Sequence, residues 1–155
     1  LAVGGDSAGG GLAAAAARLT DVPLSALVLL CPWLDATLSS PSVQEHGQEG
    51  LTEAALRSFA LAYAGDADRS DPRMSPLLGE DLQGLPPAVV VTAGLDPLRD
   101  EGERYATRLA ATGAKVAWRR WEGQEHGFAG QTADNPLARE SLDWTADQLR
   151  TLLDR

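Results

Sequence analysis

A chain of 155 residues is long enough to bury one real core and too short to expect two domains. Apolar residues make up 44% and charged residues 23%, the balance of an ordinary soluble globular protein. The net charge of −9, from 22 acidic against 13 basic side chains, excludes the basic footprint that nucleic-acid binding needs and disfavours anionic membrane surfaces.

The single cysteine, Cys31, cannot close an internal disulfide, which points to a reducing, cytoplasmic setting. Inside the run ALVLLCP it reads as a small buried hydrophobe. No stretch approaches the ~20 apolar residues of a membrane span. No charged-then-apolar leader opens the chain, and a start at Leu rather than Met reads as a cut.

In chain order, residues 1–3 (LAV) read as the end of a strand and the alanine-rich residues 8–19 as a helix. After the break at Thr20–Pro23, the continuous apolar run 26–31 (ALVLLC) fits a strand covered on both faces, as in a parallel sheet. Further on, Thr52 can N-cap a helix, with Leu51 and Leu56 in the two positions of a hydrophobic staple. Leu56, Phe59, Ala60 and Tyr63 then recur on one helical face, and Gly65 ends it. Residues 88–93 (AVVVTA) repeat the buried-strand signature after Pro86–Pro87. Residues 97–112 predict a helix with Leu98, Tyr105, Ala106 and Leu109 inward, followed by a strand at 115–121 (KVAWRRW). In that strand Val116 and Trp118 alternate before Trp121 breaks the phase. Asn135–Pro136, a cap followed by proline at the first helical position, launches a last helix with Ala138, Leu142, Thr145, Leu149 and Leu152 aligned.

Strands alternating with helices predict a parallel α/β sheet in a single domain spanning 1–155. The stretch 33–85 is too long for a simple connection and carries its own helix, so it reads as a cap or lid inserted between two strands.

Gly5–Asp6–Ser7–Ala8–Gly9 has the form of a nucleophile elbow, in which a strained turn joins a strand to a helix and exposes the serine. The helix N-terminus then aims its N–H groups at the site, with the Ala8 N–H as one oxyanion donor. Such a serine needs a base, and the chain holds two histidines, His46 and His126. His126, in EGQEHGF just beyond the last predicted strand, is placed at the carboxyl edge of the sheet; His46 reads as part of a polar surface loop. Asp96, in the loop after AVVVTA, is placed to orient the imidazole, and Asp96–Pro97 equally reads as a helix N-cap. Asp100 and Glu101 are the fallback acids, although acids in a first helical turn usually serve the helix dipole. The order Ser7, Asp96, His126 is that of an α/β-hydrolase. Trp33 and Tyr63 read first as core, with a pocket wall as the alternative.

GDSAGGGLA, the SPL at 75–77, LPPAVVVTAGLDPLRDEGERYATRLAATG and EHGF together resemble the hormone-sensitive-lipase-like branch of the α/β-hydrolases, from residue 1 to about 130. The resemblance implies a serine carboxylesterase or lipase for esters with short to medium acyl chains. Ser7, Asp96 and His126 fall on the family's triad, and no metal or organic cofactor is implied. It also implies a helical cap, part of it between the strands at 26–31 and 88–93, and allows a homodimer through the last strand. The two arginines of KVAWRRW can equally guard an exposed edge.

The chain departs from the family in one respect. No H-G-G-G-type motif occurs, and only six residues precede Ser7. The sequence therefore reads as roughly the C-terminal half of such a domain, with the N-terminal strands and part of the cap missing. A missing oxyanion donor costs about 10²–10³ in kcat, and an uncovered first strand favours association. A chain of this kind alone is expected to be poorly stable, self-associating and weakly active. The competing readings are a peptidase or amidase of the same fold, a non-catalytic small-molecule-binding module, and an inactive fragment.

Overall fold

The two runs without a polar face, 26–30 and 88–93, become the centre of the sheet. The computed structural model describes residues 1–154, so Arg155, the last residue of the expected domain, lies outside the described residues. Four parallel strands, β1 (Ala2–Asp6), β2 (Ala26–Leu30), β3 (Ala88–Ala93) and β4 (Val116–Trp121), lie side by side in sequence order. Register runs Gly5↔Leu29, Leu29↔Val90 and Val90↔Trp118 across the sheet. All six residues of β3 are buried, as a strand flanked on both sides and both faces requires.

Helices α1 (Ala8–Leu19) and α4 (Arg99–Ala111) cover one face. Ala13, Ala14 and Ala17 of α1 and Tyr105, Ala106 and Leu109 of α4 close there on Leu27, Leu29 and Val90. The small alanines let α1 approach the sheet closely. On the other face, α5 (Pro136–Leu153) packs with Phe128 and Ala129 on Val91, Ala93 and Trp121. Trp144 of α5 meets Trp121 edge-on, with ring centroids 5.2 Å apart.

Between β2 and β3 the chain makes α2 (Pro41–His46), α3 (Glu53–Ala64) and a short 3₁₀ turn at Pro76–Leu78. Thr52 caps α3 as its sequence predicts, accepting from the Ala55 N–H at 3.1 Å, a bond of the kind that contributes about 1 kcal/mol. The returning segment is fastened by two guanidinium groups. Arg108 donates to the carbonyls of Leu77, Gly79 and Glu80, and Arg18 donates to the Asp81 carbonyl at 2.6 Å.

Several elements differ from the sequence expectation. β1 continues through Gly4, Gly5 and Asp6, because pairing with β2 overrides the low strand propensity of glycine. Helix α4 begins at Arg99, not at 97, since the Asp96 side chain turns back onto the Leu98 N–H and forms a tight turn ahead of the helix. The buried face of α5 is Ala138, Ser141 and Thr145, while Leu142 stays 37% exposed. Trp118 is 45% exposed and Trp121 is buried. Among the described residues β4 pairs only with β3, and its Trp118 side lies beyond the cover of α4. The two arginines of β4 are engaged by acids of the flanking helices. Arg119 reaches Glu140 of α5 at 3.0 Å and Arg120 reaches Glu103 of α4 at 2.6 Å, on opposite faces of the sheet. Among the described residues no helix is long and apolar enough to cross a membrane.

Candidate active site

The end of β1 and the start of α1 meet at Ser7, whose backbone has φ 54° and ψ −121°. A non-glycine residue in that region costs about 1–3 kcal/mol and persists only when its surroundings hold it there. They do so through the main chain. The Ser7 N–H donates to the Leu30 carbonyl at 2.9 Å, and the Ser7 carbonyl accepts from Gly10, Gly11 and Trp33 at 2.9–3.3 Å. The turn is so tight that a side chain on Gly5 would collide with the Gly9 carbonyl. The Ala8 N–H has no acceptor among the described residues, and Ala8 lines the cleft beside Ser7.

His126 follows β4 in a loop bent at Gly123 and Gly127, with φ of 70° and 75°. Asp96 follows β3. The two loops are tied directly: the Gly94 N–H donates to the Trp121 carbonyl and the Leu95 N–H to the Gln124 carbonyl, both at 2.9 Å. The result brings together the three residues singled out in the sequence. His126 Nε2 lies 2.8 Å from Ser7 Oγ, and His126 Nδ1 lies 2.9 Å from Asp96 Oδ2. Asp96 is fully buried, and its other oxygen accepts from the Leu98 N–H at 2.8 Å. A carboxylate accepts only, so Nδ1 carries the proton and Nε2 is left to accept from the serine hydroxyl.

The remaining candidates are placed elsewhere. Asp100 binds Arg99 Nε at 2.8 Å and the Ser42 N–H at 3.0 Å and makes no bond to His126. Glu101 is fully buried instead of facing solvent at a helix start. His46 is the last residue of α2 rather than part of a loop, and it accepts from Arg99 Nη1 at 2.8 Å. Cys31 is buried as expected, yet its Sγ lies within 4.8 Å of ligand atoms of both Asp96 and His126. Burial and the Asp96 charge push its thiol well above the ordinary range. Asp6, beside the same site, is also shifted upward, chiefly by burial, with His126 opposing and Asp96 adding to the shift.

A cleft of about 470 Å³ opens at Ser7 and Ala8, walled by Leu12, Trp33, Phe59, Tyr63 and Met74. Phe59 and Tyr63 are thus wall and not core, at 54% and 53% exposure. Helical periodicity alone does not separate the two, because a helix lying over a cleft needs a wide apolar face just as a core helix does. A smaller cavity of about 280 Å³, lined by Glu45, Glu49, Leu95 and Glu125, adjoins His126, and Leu51 borders both cavities. Arg99, which ties α2 to the Asp96 loop, had no role in the sequence reading; the signal available was its place three residues after Asp96.

A parallel sheet whose first strand turns sharply into a helix on a strained serine is the architecture of the α/β-hydrolases. The chain belongs to this family, in its hormone-sensitive-lipase-like branch: a family model described as alpha/beta hydrolase fold matches residues 1–130. Esterase LipI of Mycobacterium tuberculosis is 38% identical over 160 residues, covering 99% of this chain and 50% of that protein. Ethyl acetate hydrolase of Pseudomonas putida is 42% identical over 136 residues, covering 83% of this chain and 42% of that protein. Among solved structures, EstE1, a thermostable carboxylesterase cloned from a metagenomic library, superposes with a TM-score of 0.85 at 36% identity, over 99% of this chain and 55% of that one. The chain spans about half the length of the curated relatives it matches.

Proposed function

We propose that this chain carries the nucleophile, base and acid of a serine carboxylesterase acting on esters of short to medium acyl chains. The observation behind the reading is the continuous contact Ser7 Oγ–His126 Nε2–His126 Nδ1–Asp96 Oδ2, at 2.8 and 2.9 Å. Ser7 Oγ attacks the ester carbonyl carbon while His126 Nε2 takes its proton. The oxyanion forms where the Ala8 N–H and the α1 N-terminus face it. His126 then protonates the alkoxide, which leaves as the alcohol, and the acyl group stays on Ser7 until water, deprotonated by the same imidazole, releases the acid. Asp96 holds the tautomer and stabilises the imidazolium.

The leaving oxygen must face His126, so the alcohol departs toward the smaller cavity. The acyl group then occupies the apolar cleft beside Ser7 and Ala8. We read residues 33–85 as a cap inserted in one domain, with α3 supplying Phe59 and Tyr63 to that cleft. The names of the relatives, an ethyl acetate hydrolase among them, support small esters as the substrate class.

The test is a p-nitrophenyl ester series from acetate to palmitate, with a phosphonate ester as trap. Turnover that falls steeply beyond about eight acyl carbons, and a phosphonyl mass increment on Ser7, are expected. Tight ligand binding without either result would favour a non-catalytic binding module. For assembly we propose a pair of copies joined along β4, whose outer side exposes Trp118. Trp118→Lys should shift sedimentation from dimer to monomer, and an unchanged dimer would remove this reading.

A further inference from the structure

The turn leaving β2, residues 32–35, is held from several directions. The Trp33 N–H donates to the Ser7 carbonyl at 2.9 Å, and the Leu34 carbonyl accepts from the Leu77 N–H at 3.0 Å. A side chain on Gly11 of α1 would strike the Trp33 carbonyl, so helix and turn are in backbone contact. Trp33 and Ala36 themselves wall the cleft at Ser7. One more partner comes from α4. Glu101 is fully buried, and its Oε1 accepts from the Leu34 N–H and, at 3.3 Å, from the Asp35 N–H. Its Oε2 has no partner among the described residues.

A carboxyl closed off from water is costly unless its bonds are needed. Here they satisfy two amides of a turn that no strand or helix serves. The same helix begins three residues after Asp96, so Glu101 links the segment carrying the acid to the segment gripping the nucleophile. None of the reaction steps above uses it.

We infer that Glu101 is a positioning residue: through the Leu34 and Asp35 amides it fixes the 32–35 turn against the Ser7 carbonyl and sets the acyl wall. The inference rests on the reading of Ser7 as the nucleophile. The charged groups facing Glu101 are Asp35 on the turn and Asp96 ahead of α4, both carboxylates. Burial first, and these two charges with it, push the Glu101 carboxyl well above its usual range, against the pull of the two amide bonds. The neutral acid is therefore the form that fits. Its folded value lies above the unfolded one, so its contribution to stability is complete below the ordinary glutamate range. That contribution is lost as pH rises through the folded value. Ionisation places a charge beside Asp35 in a closed site, and the turn loosens.

The experiment follows kcat and KM for p-nitrophenyl butyrate against pH in wild type, Glu101→Gln and Glu101→Ala. Glutamine keeps the acceptor and the shape without an ionisable proton. It should retain kcat/KM within about threefold at neutral pH and lose the alkaline decline of the wild type, since it alters no acceptor geometry. Alanine should lose about 10²-fold in kcat/KM while still melting cooperatively, the scale of a small displacement at a reacting centre. Alanine turning over like wild type, glutamine failing as badly as alanine, or an alkaline decline unchanged in glutamine would each overturn the inference. Where alanine does not fold, the glutamine profile decides. Wild-type turnover that survives Ser7→Ala would overturn the esterase reading and this inference together, whereas Ser7-dependent turnover indifferent to Glu101 overturns this inference alone.

Discussion

Alanine at Ser7 or at His126 is expected to lower kcat for an activated ester by about 10⁶-fold, and asparagine in place of Asp96 by about 10⁴-fold. On the proposed mechanism the three side chains act as one unit, so the Ser7→Ala, His126→Ala double variant should be no worse than either single one. Geometry is the reason. With Nδ1 bound to Asp96 and Nε2 to Ser7, removing the ring removes both the acceptor for the serine proton and the donor for the leaving alcohol. The Asp96→Asn change would offer an N–H where a carboxylate accepts, turning the imidazole to the wrong tautomer. Single-turnover release of p-nitrophenol reads all four rates. A His126→Ala protein within tenfold of wild type would leave the site without its base and sink the assignment.

The second large effect concerns the backbone. Gly5→Ala should destabilise the fold by about 3 kcal/mol, at the upper end for inserting a methyl where none fits. The added carbon would fall on the Gly9 carbonyl group and lie 2.7 Å from the Gly10 nitrogen, main-chain atoms that cannot swing aside. Relief requires α1 to shift, and Ser7 caps that helix, so kcat should fall by about 10²-fold in whatever folds. Gly9→Ala is the control. A methyl there meets nothing within 4 Å, and alanine gains up to about 1 kcal/mol of helix propensity over glycine. Urea midpoints for the two variants should therefore move in opposite directions, with kcat lowered in Gly5→Ala alone. Equal damage from both would show that the elbow does not depend on this approach of strand and helix.

Much of this was legible in the sequence because the relevant signals are local. β2 is apolar throughout and β3 apolar but for Thr92, since these central strands are covered on both faces, and Ser7, Asp96 and His126 each stand just past a strand where loops converge. What stayed hidden depended on partners far along the chain. β1 owes its last three residues to β2, and Trp118 of the edge strand β4 is left exposed on the face that α1 and α4 cover farther in. Phe59 and Tyr63 share a face with Leu56 and Ala60, but the cleft ends the burial halfway along it. Glu101 had the appearance of a dipole acid because sequence shows its distance from the helix start and not the turn of residues 32–35 folded over it. The SPL at 75–77 belongs to the same class. Ser75 receives the Ala36 N–H and donates to the Arg69 carbonyl, a bridge between the two legs of the insertion.

The insertion is moored at its two ends and not along its length. Its outgoing leg is bound to α4 through Ser42, Asp100 and Glu101, and its returning leg to α4 and α1 through Arg108 and Arg18. These moorings are largely backbone atoms on the insertion side and side chains on the framework side. The span between them reaches the framework through few of these bonds, so a change of sequence or length there is expected to leave strand register undisturbed. On the proposed function, replacing α3 and its flanking loops is expected to change which esters are turned over while leaving the Ser7–His126–Asp96 contact in place.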